Sequence, residues 1–186
     1  MLGAEQSGNM SAVGFDLFAQ MLAEAVNATR EGRVDKSTLI PQALSDITVN
    51  VHAHAYLPQE YVTDPEQRVL LYRRLAACGD LDVLDQIEKD TCLTYGDMPQ
   101  AAKNFFAKSR IKALAAARNI RLISVAAGVL MIEPVHVTRE QLIPLKRKGS
   151  RYVERTQRLT VPMRYFKLAD ESELSLSDIA RFIEEL

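Results

Sequence analysis

The sequence predicts an α+β fold: a long N-terminal helix, then a helical layer packed on a small, mostly antiparallel sheet, and a C-terminal helix. Three observations carry this prediction. Between Asp64 and Asn119, three stretches repeat apolar residues at helical spacing, with cap residues or prolines at their starts and Gly or Asn at their ends. Directly after them, IRLISV and VLMI flank Ala126-Ala127-Gly128, two β-rich runs around a short turn. Before them, Ile47, Val49, Val51, Ala53 and Ala55 alternate with polar residues, the period of a strand with one wet face.

Taken in order, residues 10–31 predict a long helix capped by Ser7 or Asn9. Val13, Leu17, Met21 and Ala25 form one apolar stripe, and Phe15, Phe18, Leu22 and Val26 a second beside it. Residues 32–46 mix Gly, Asp, Ser and Pro without period, the composition of a linker. The expected division is therefore 1–45, a connecting region, and 46–186, the α+β domain. Asp64, Pro65 and Gln67 make a helix start, with Gln67 placed to reach back to the cap. Val69, Leu71, Tyr72, Leu75 and Ala76 follow at helical spacing, and Gly79 is expected to end that helix in the left-handed conformation. Asp80 opens the second helix, which turns Leu81, Leu84, Ile87 and Thr91 inward and stops at Gly96. Asp97 and Pro99 start a third, apolar nearly all round and so expected in the middle of the domain. Asn119 suits the left-handed position after it. Beyond the hairpin, Thr138 and Gln141 predict a short capped helix that Pro144 cuts off. Tyr152-Val153 and Leu159-Thr160-Val161 predict strands around a polar turn. Ser175 and Asp178 begin the last helix, with Leu174 placed to staple against Ile179.

The 186 residues are 47% hydrophobic and 25% charged, which fits a packed core with a solvated surface. A net charge of −1 argues against a general nucleic-acid binder. Cys78 and Cys92 form no CxxC pair and suit a reducing compartment. With no signal segment and no long apolar run, a cytoplasmic location is expected. His52 and His54 share the wet face of the first strand, but two ligands make no metal site and no acid or thiol completes one by spacing. Gly3 and Gly8 have phosphate-loop spacing, yet Asn9-Met10 follows where Lys-Ser/Thr is needed, so the loop cannot hold a nucleotide. No catalytic constellation is visible, and no cofactor or metal is expected for this chain.

Charge is unevenly distributed. From Arg139 to Lys167 nine basic residues stand against two acidic ones, densest at Lys146, Arg147, Lys148 and Arg151. From Ala169 onward there are six acids and one base. The second helix carries Asp82, Asp85, Glu88 and Asp90 on its outer side, with Lys89 the only base. Neighbouring acids on a helix repel slightly, so helix stability does not account for them.

A family resemblance adds to this reading. Leu57-Pro58, Tyr61, Arg68, the run Leu71-Tyr72-Arg73-Arg74-Leu75, Gly96, Pro99 and Ile120 resemble the C-terminal domain of the bacterial transcription-repair coupling factors (Mfd). The segment LGAEQSG resembles the end of their translocation motif, with Gln6 at the glutamine that couples ATP hydrolysis to movement on DNA. The family has an Asp-Arg pair where this chain has Leu93 and Thr94, so any ion pair made there in relatives is missing. The resemblance implies a parent that is an ATP- and magnesium-dependent translocase on double-stranded DNA. Such a parent removes stalled RNA polymerase and recruits the repair protein UvrA. It also implies that this C-terminal piece is a regulatory module without catalysis, docked on a UvrB-like module of the same parent. Asp82, Asp85 and Glu88, all expected to be exposed, are the candidate docking residues. The alternative is a nucleic-acid contact domain using Lys146, Arg147, Lys148 and Arg151. Met1 falls inside the translocation motif, which points to a boundary set within a longer parent.

Overall fold

The computed structural model describes residues 46–166 and 175–186. Gln6, the 10–31 helix, the linker and the Leu174 staple lie outside the described residues. Three helices come first after strand β1 (Thr48–Asn50): α1 (Pro65–Ala77), α2 (Leu81–Tyr95) and α3 (Gln100–Ala117). Then follow the hairpin β2 (Leu122–Ala126) and β3 (Val129–Glu133), α4 (Arg139–Arg147), β4 (Arg151–Val153), β5 (Arg158–Pro162) and α5 (Leu176–Glu184). The five strands form one sheet in the order β1-β2-β3-β5-β4. Only the β1–β2 pairing is parallel; the other three are antiparallel. The predicted α+β class, helical layer and C-terminal helix are thus present.

α3 organises the core because it is apolar on both sides. Its first half, with Ala102, Phe105 and Phe106, packs under α1 and α2 together with Leu57, Val62, Leu75, Leu84 and Ile87. Its second half, with Ile111, Leu114 and Ala115, packs on the sheet and on Ile179, Phe182 and Ile183 of α5. The sheet's inner row runs Val49, Ile123, Ile132, Leu159 and Tyr152 across all five strands. Burying side chains of this size is worth about 1.5–3 kcal/mol each, which is why the register is fixed: a one-residue slip would turn the row outward.

Local signals act largely as chemistry requires. Asp64 accepts from the Glu66 and Gln67 N–H groups at 2.8 and 3.4 Å, and Asp80 accepts from Asp82 and Val83 at 2.8 and 3.3 Å. Asn119 stands at φ 57°, and the Asn119 and Ile120 N–H groups close on the Ala116 and Ala115 carbonyls. Ala127 and Gly128, at φ 50° and 73°, make a two-residue turn of the mirror-image kind that matches strand twist. Thr138 and Gln141 complete their reciprocal cap, and Ser175 accepts from the Asp178 N–H.

Four expectations need correction. Gly79 is not left-handed: α1 ends on Cys78 in extended backbone, its thiol donating to the Asp80 carbonyl, and the chain runs extended into the next cap. Asp97 does not cap α3, which starts from Pro99 with no side-chain cap. Pro144 does not end α4, which continues to Arg147. Leu145 is buried beneath it, and a left-handed Gly149 closes the end by bonding back to Lys146 while Ser150 bonds to Leu145. The first strand is shorter than predicted. Inside–outside alternation of burial persists to Ala55, but after Asn50 the backbone leaves β2 for α3. There the His54 carbonyl accepts from Asn104, and the Tyr56 N–H donates to Ala101.

Candidate docking site

Helix α2 buries Leu84, Ile87 and Thr91, and the Thr91 hydroxyl donates back to the Ile87 carbonyl at 2.6 Å. That phase leaves Asp82, Val83, Lys89, Asp90 and Leu93 facing outward, with Leu93 85% exposed. Gln86 donates to Asp90 at 2.7 Å along the same surface.

Asp85 and Glu88 do not share that freedom. Both are partly buried and turn toward α3, where the Arg110 guanidinium donates to Asp85 at 2.5 Å and to Glu88 at 3.0 Å. Burial opposes the charge on Arg110, but the two carboxylates outweigh it and raise its pKa. The reading of both acids as exposed is therefore corrected: one turn apart on α2, they hold α2 to α3. Arg110, lying 22 and 25 residues further on, had no local signal in the sequence.

Between α2, α3 and α5 lies an open groove of about 700 Å³, bordered by Glu88, Cys92, Met98, Lys103, Arg110 and Arg181. Its charges are of both signs, with no nucleophile set against a base. Among the described residues, no group of three or more His, Cys, Asp or Glu side chains could hold a metal. His52 and His54 are exposed. No described helix is long and apolar enough to cross a membrane.

The basic candidates gather at one corner. Lys146 and Arg147 end α4, Lys148 caps it, and Arg151 opens β4. The structure adds Arg164, whose guanidinium passes 2.9 Å from where a side chain on Gly149 would start. Lys148 Nζ sits 4.4 Å from the centre of the Tyr165 ring.

Around the helical core, another set of residues ties segments together. The Leu57 N–H donates to the Tyr72 hydroxyl at 2.8 Å, and Arg68 donates to the Val62 carbonyl at 2.7 Å. Tyr61 donates to the Gly96 carbonyl at 3.0 Å; burial first, then Cys92 and Asp97, push its pKa up to about 12. Leu57, Tyr61, Arg68, Tyr72 and Gly96 are among the residues on which the family resemblance rests. The sequence profile of the TRCF domain matches residues 51–142, which span them all. The chain belongs to the TRCF domain family.

The transcription-repair-coupling factor of Haemophilus influenzae is 32% identical over 139 residues, covering 75% of this chain and 10% of that protein. Those of Mycobacterium bovis and Escherichia coli are each 28% identical, covering 88% and 100% of this chain. The chain spans between 10% and 16% of the length of these relatives. A crystal structure of the C-terminal domain of a transcription-repair coupling factor shares the fold, with a TM-score of 0.52. It is 10% identical over 75% of this chain and 94% of that one. In this TRCF domain, Leu93 stands outward, and the Thr94 hydroxyl folds back onto the Asp90 carbonyl at 2.7 Å.

Proposed function

We propose that this TRCF domain is the regulatory, autoinhibitory docking module of a transcription-repair coupling factor and performs no catalysis itself. The parent would be an ATP-dependent translocase on double-stranded DNA, using magnesium, working in the cytoplasm on stalled RNA polymerase and recruiting UvrA. Residues 1–45 would be its connector, with Gln6 at the end of the translocation motif. The domain would dock on the UvrB-like module of the same chain and cover the surface that UvrA recognises. Membership in the family supports the setting. The observation that carries the docking reading is the outer face of α2, which presents Asp82 in its first turn and Asp90 near its end, one turn before an 85% exposed Leu93. An acidic face with an apolar residue at one end suits a basic partner surface with a shallow pocket. Charge complementarity of this kind sets orientation and specificity more than affinity. Asp85 and Glu88 would serve indirectly, by holding α2 in place through Arg110.

The test is Asp82→Lys with Asp90→Lys in the full-length parent. Weakened docking should raise UvrA binding and the ATPase rate. Unchanged values of both, in a folded variant, would refute this face as the regulatory contact.

A further inference from the structure

We propose that the cationic corner formed by Lys146, Arg147, Lys148, Arg151 and Arg164 is a sequence-independent contact for the phosphate backbone of duplex DNA. The carrying observation is clustering: exposed cations elsewhere, such as Lys103 and Arg121, also have no carboxylate in an ion pair, but here five such cations from separate elements meet at one corner. Arg110, Arg158 and Arg181 each sit on a carboxylate of the domain: Asp85 and Glu88, Glu133, and Asp178. None of the five corner cations has an acidic partner among the described residues, although all five are exposed. The C-terminal end of α4 explains part of this, since last-turn cations suit the helix dipole. That accounts for Lys146 and Arg147. It does not account for Arg151, which opens β4, or for Arg164, which follows β5 and reaches over the bare Cα of Gly149.

Three separate elements thus bring unpaired positive charge to one turn. The turn itself is held firmly. Gly149 and Ser150 bond back to Lys146 and Leu145, and Lys148 lies over Tyr165. Preorganised cations lose less freedom on binding than cations on a loose loop.

Duplex is favoured over single strand by the aromatic residues. Single-strand binders offer open rings for bases to stack on. Tyr165 is the ring at this corner, and it is packed against Phe166 and Phe182 at 5.4 and 5.3 Å with Lys148 over its face. The cations sit at a helix end, a turn and strand ends rather than along one helix face, so sequence would not be read. This inference does not rest on the docking role of α2.

The experiment is fluorescence anisotropy of the 186-residue chain with labelled 20-bp duplexes of unrelated sequence. Phosphate contacts alone give Kd of roughly 10⁻⁴ to 10⁻⁶ M. If four cations each displace one counterion, the salt slope is about −3.6, a weakening of about 150-fold between 50 and 200 mM salt. Lys146→Ala, Lys148→Ala, Arg151→Ala and Arg164→Ala together should abolish binding, whereas Arg73→Ala with Arg74→Ala on α1 should leave it unchanged. Should loss of the Lys148–Tyr165 contact unfold the quadruple variant, Lys146→Glu with Arg151→Glu keeps that contact and should also abolish binding. Duplex binding that survives these changes would overturn the proposal. So would tighter binding of a single strand, or equal binding of poly-glutamate, which would mark a site for acidic polypeptide. Absence of saturable duplex binding would overturn it too, and would point to neutralisation by the acidic stretch 170–173 of the same chain.

Discussion

Reversing Asp85 and Glu88 to lysine should damage the fold rather than report on docking. The structure lets the cost be worked out. The Arg110 side chain is 27% exposed, and Asp85 and Glu88 are 45% and 37% exposed. Fully exposed ion pairs contribute about 0.2–1 kcal/mol, and hydrogen bonds to charged groups about 1.5–3 kcal/mol. Partly exposed pairs fall between, at about 1 kcal/mol each once solvent screening is allowed for. Two lysines would remove both attractions and add repulsion against Arg110, which their length lets them relieve only in part. The sum is a loss of about 3 kcal/mol, a large share of the 5–15 kcal/mol that holds a typical domain. Urea unfolding followed by circular dichroism measures it. With a slope of about 1–3 kcal/mol per molar urea, the midpoint should fall by more than about 1 M. Asp82→Asn with Asp90→Asn should stay within about 1 kcal/mol of the parent, losing only a dipole contribution and the Gln86 contact. If both pairs shift the midpoint equally, Arg110 does not distinguish inward from outward acids, and the assignment of α2's two faces is wrong.

Other outcomes follow from single residues. Ala127 occupies a left-handed position at φ 50°, so Ala127→Asn, beside Gly128, should stabilise by about 0.5–1 kcal/mol in the same assay. The Tyr61 pKa is raised from 10.0 to about 12, so its neutral form is favoured in the folded state. Stability should be intact below pH 10 and fall as pH rises from 10 toward 12, and Tyr61→Phe should remove that slope while costing about 1 kcal/mol at neutral pH. Among the described residues, the Ser150 hydroxyl is the buried side-chain polar atom left without a partner. Ser150→Ala should therefore raise stability, by about 1 kcal/mol, and a destabilised variant would show that this hydroxyl is satisfied in solution.

The helices were legible wherever a short-range rule decides: the Asp64, Asp80, Thr138 and Ser175 caps, Gly96, and Asn119 all bond with neighbours a few residues away. The β2–β3 hairpin and the all-round apolar α3 were legible for the same reason. What failed was settled by tertiary contacts. α4 runs past Pro144 because Leu145 anchors its second turn in the sheet core, which no local preference of proline could reveal. The strand after Ile47 stops early because α3 takes the His54 and Tyr56 backbone bonds, although β2 runs on for two more residues. At the candidate site, periodicity placed the acids of α2 on its surface correctly as a group. It could not separate Asp85 and Glu88 from Asp82 and Asp90, because that division depends on an arginine from another helix. Arg164 joined the basic corner through the register of β5, again at a distance.

Several of the residues that carry the family resemblance have a common physical role. Leu57 donates its N–H to the Tyr72 hydroxyl, Tyr61 donates to the Gly96 carbonyl and Arg68 to the Val62 carbonyl, fixing the lead-in segment across α1 and the end of α2. Ile120 completes the α3 end by bonding to Ala115. Such residues specify the scaffold and present almost nothing to a partner, unlike Arg73 and Arg74 of the same motif, which are exposed. Contact chemistry must then reside in outward positions, which the scaffold tolerates changing. Leu93 is such a position: at 85% exposure its side chain adds nothing to the core. A single exposed leucine is ordinary on a protein surface, so a role for Leu93 in docking rests on the effect of changing it. Leu93→Asp in the full-length parent separates the possibilities. It should leave unfolding unchanged in the isolated chain while raising UvrA binding if Leu93 is the centre of the docked face. An effect on stability instead would place Leu93 in the fold and remove it from the interface.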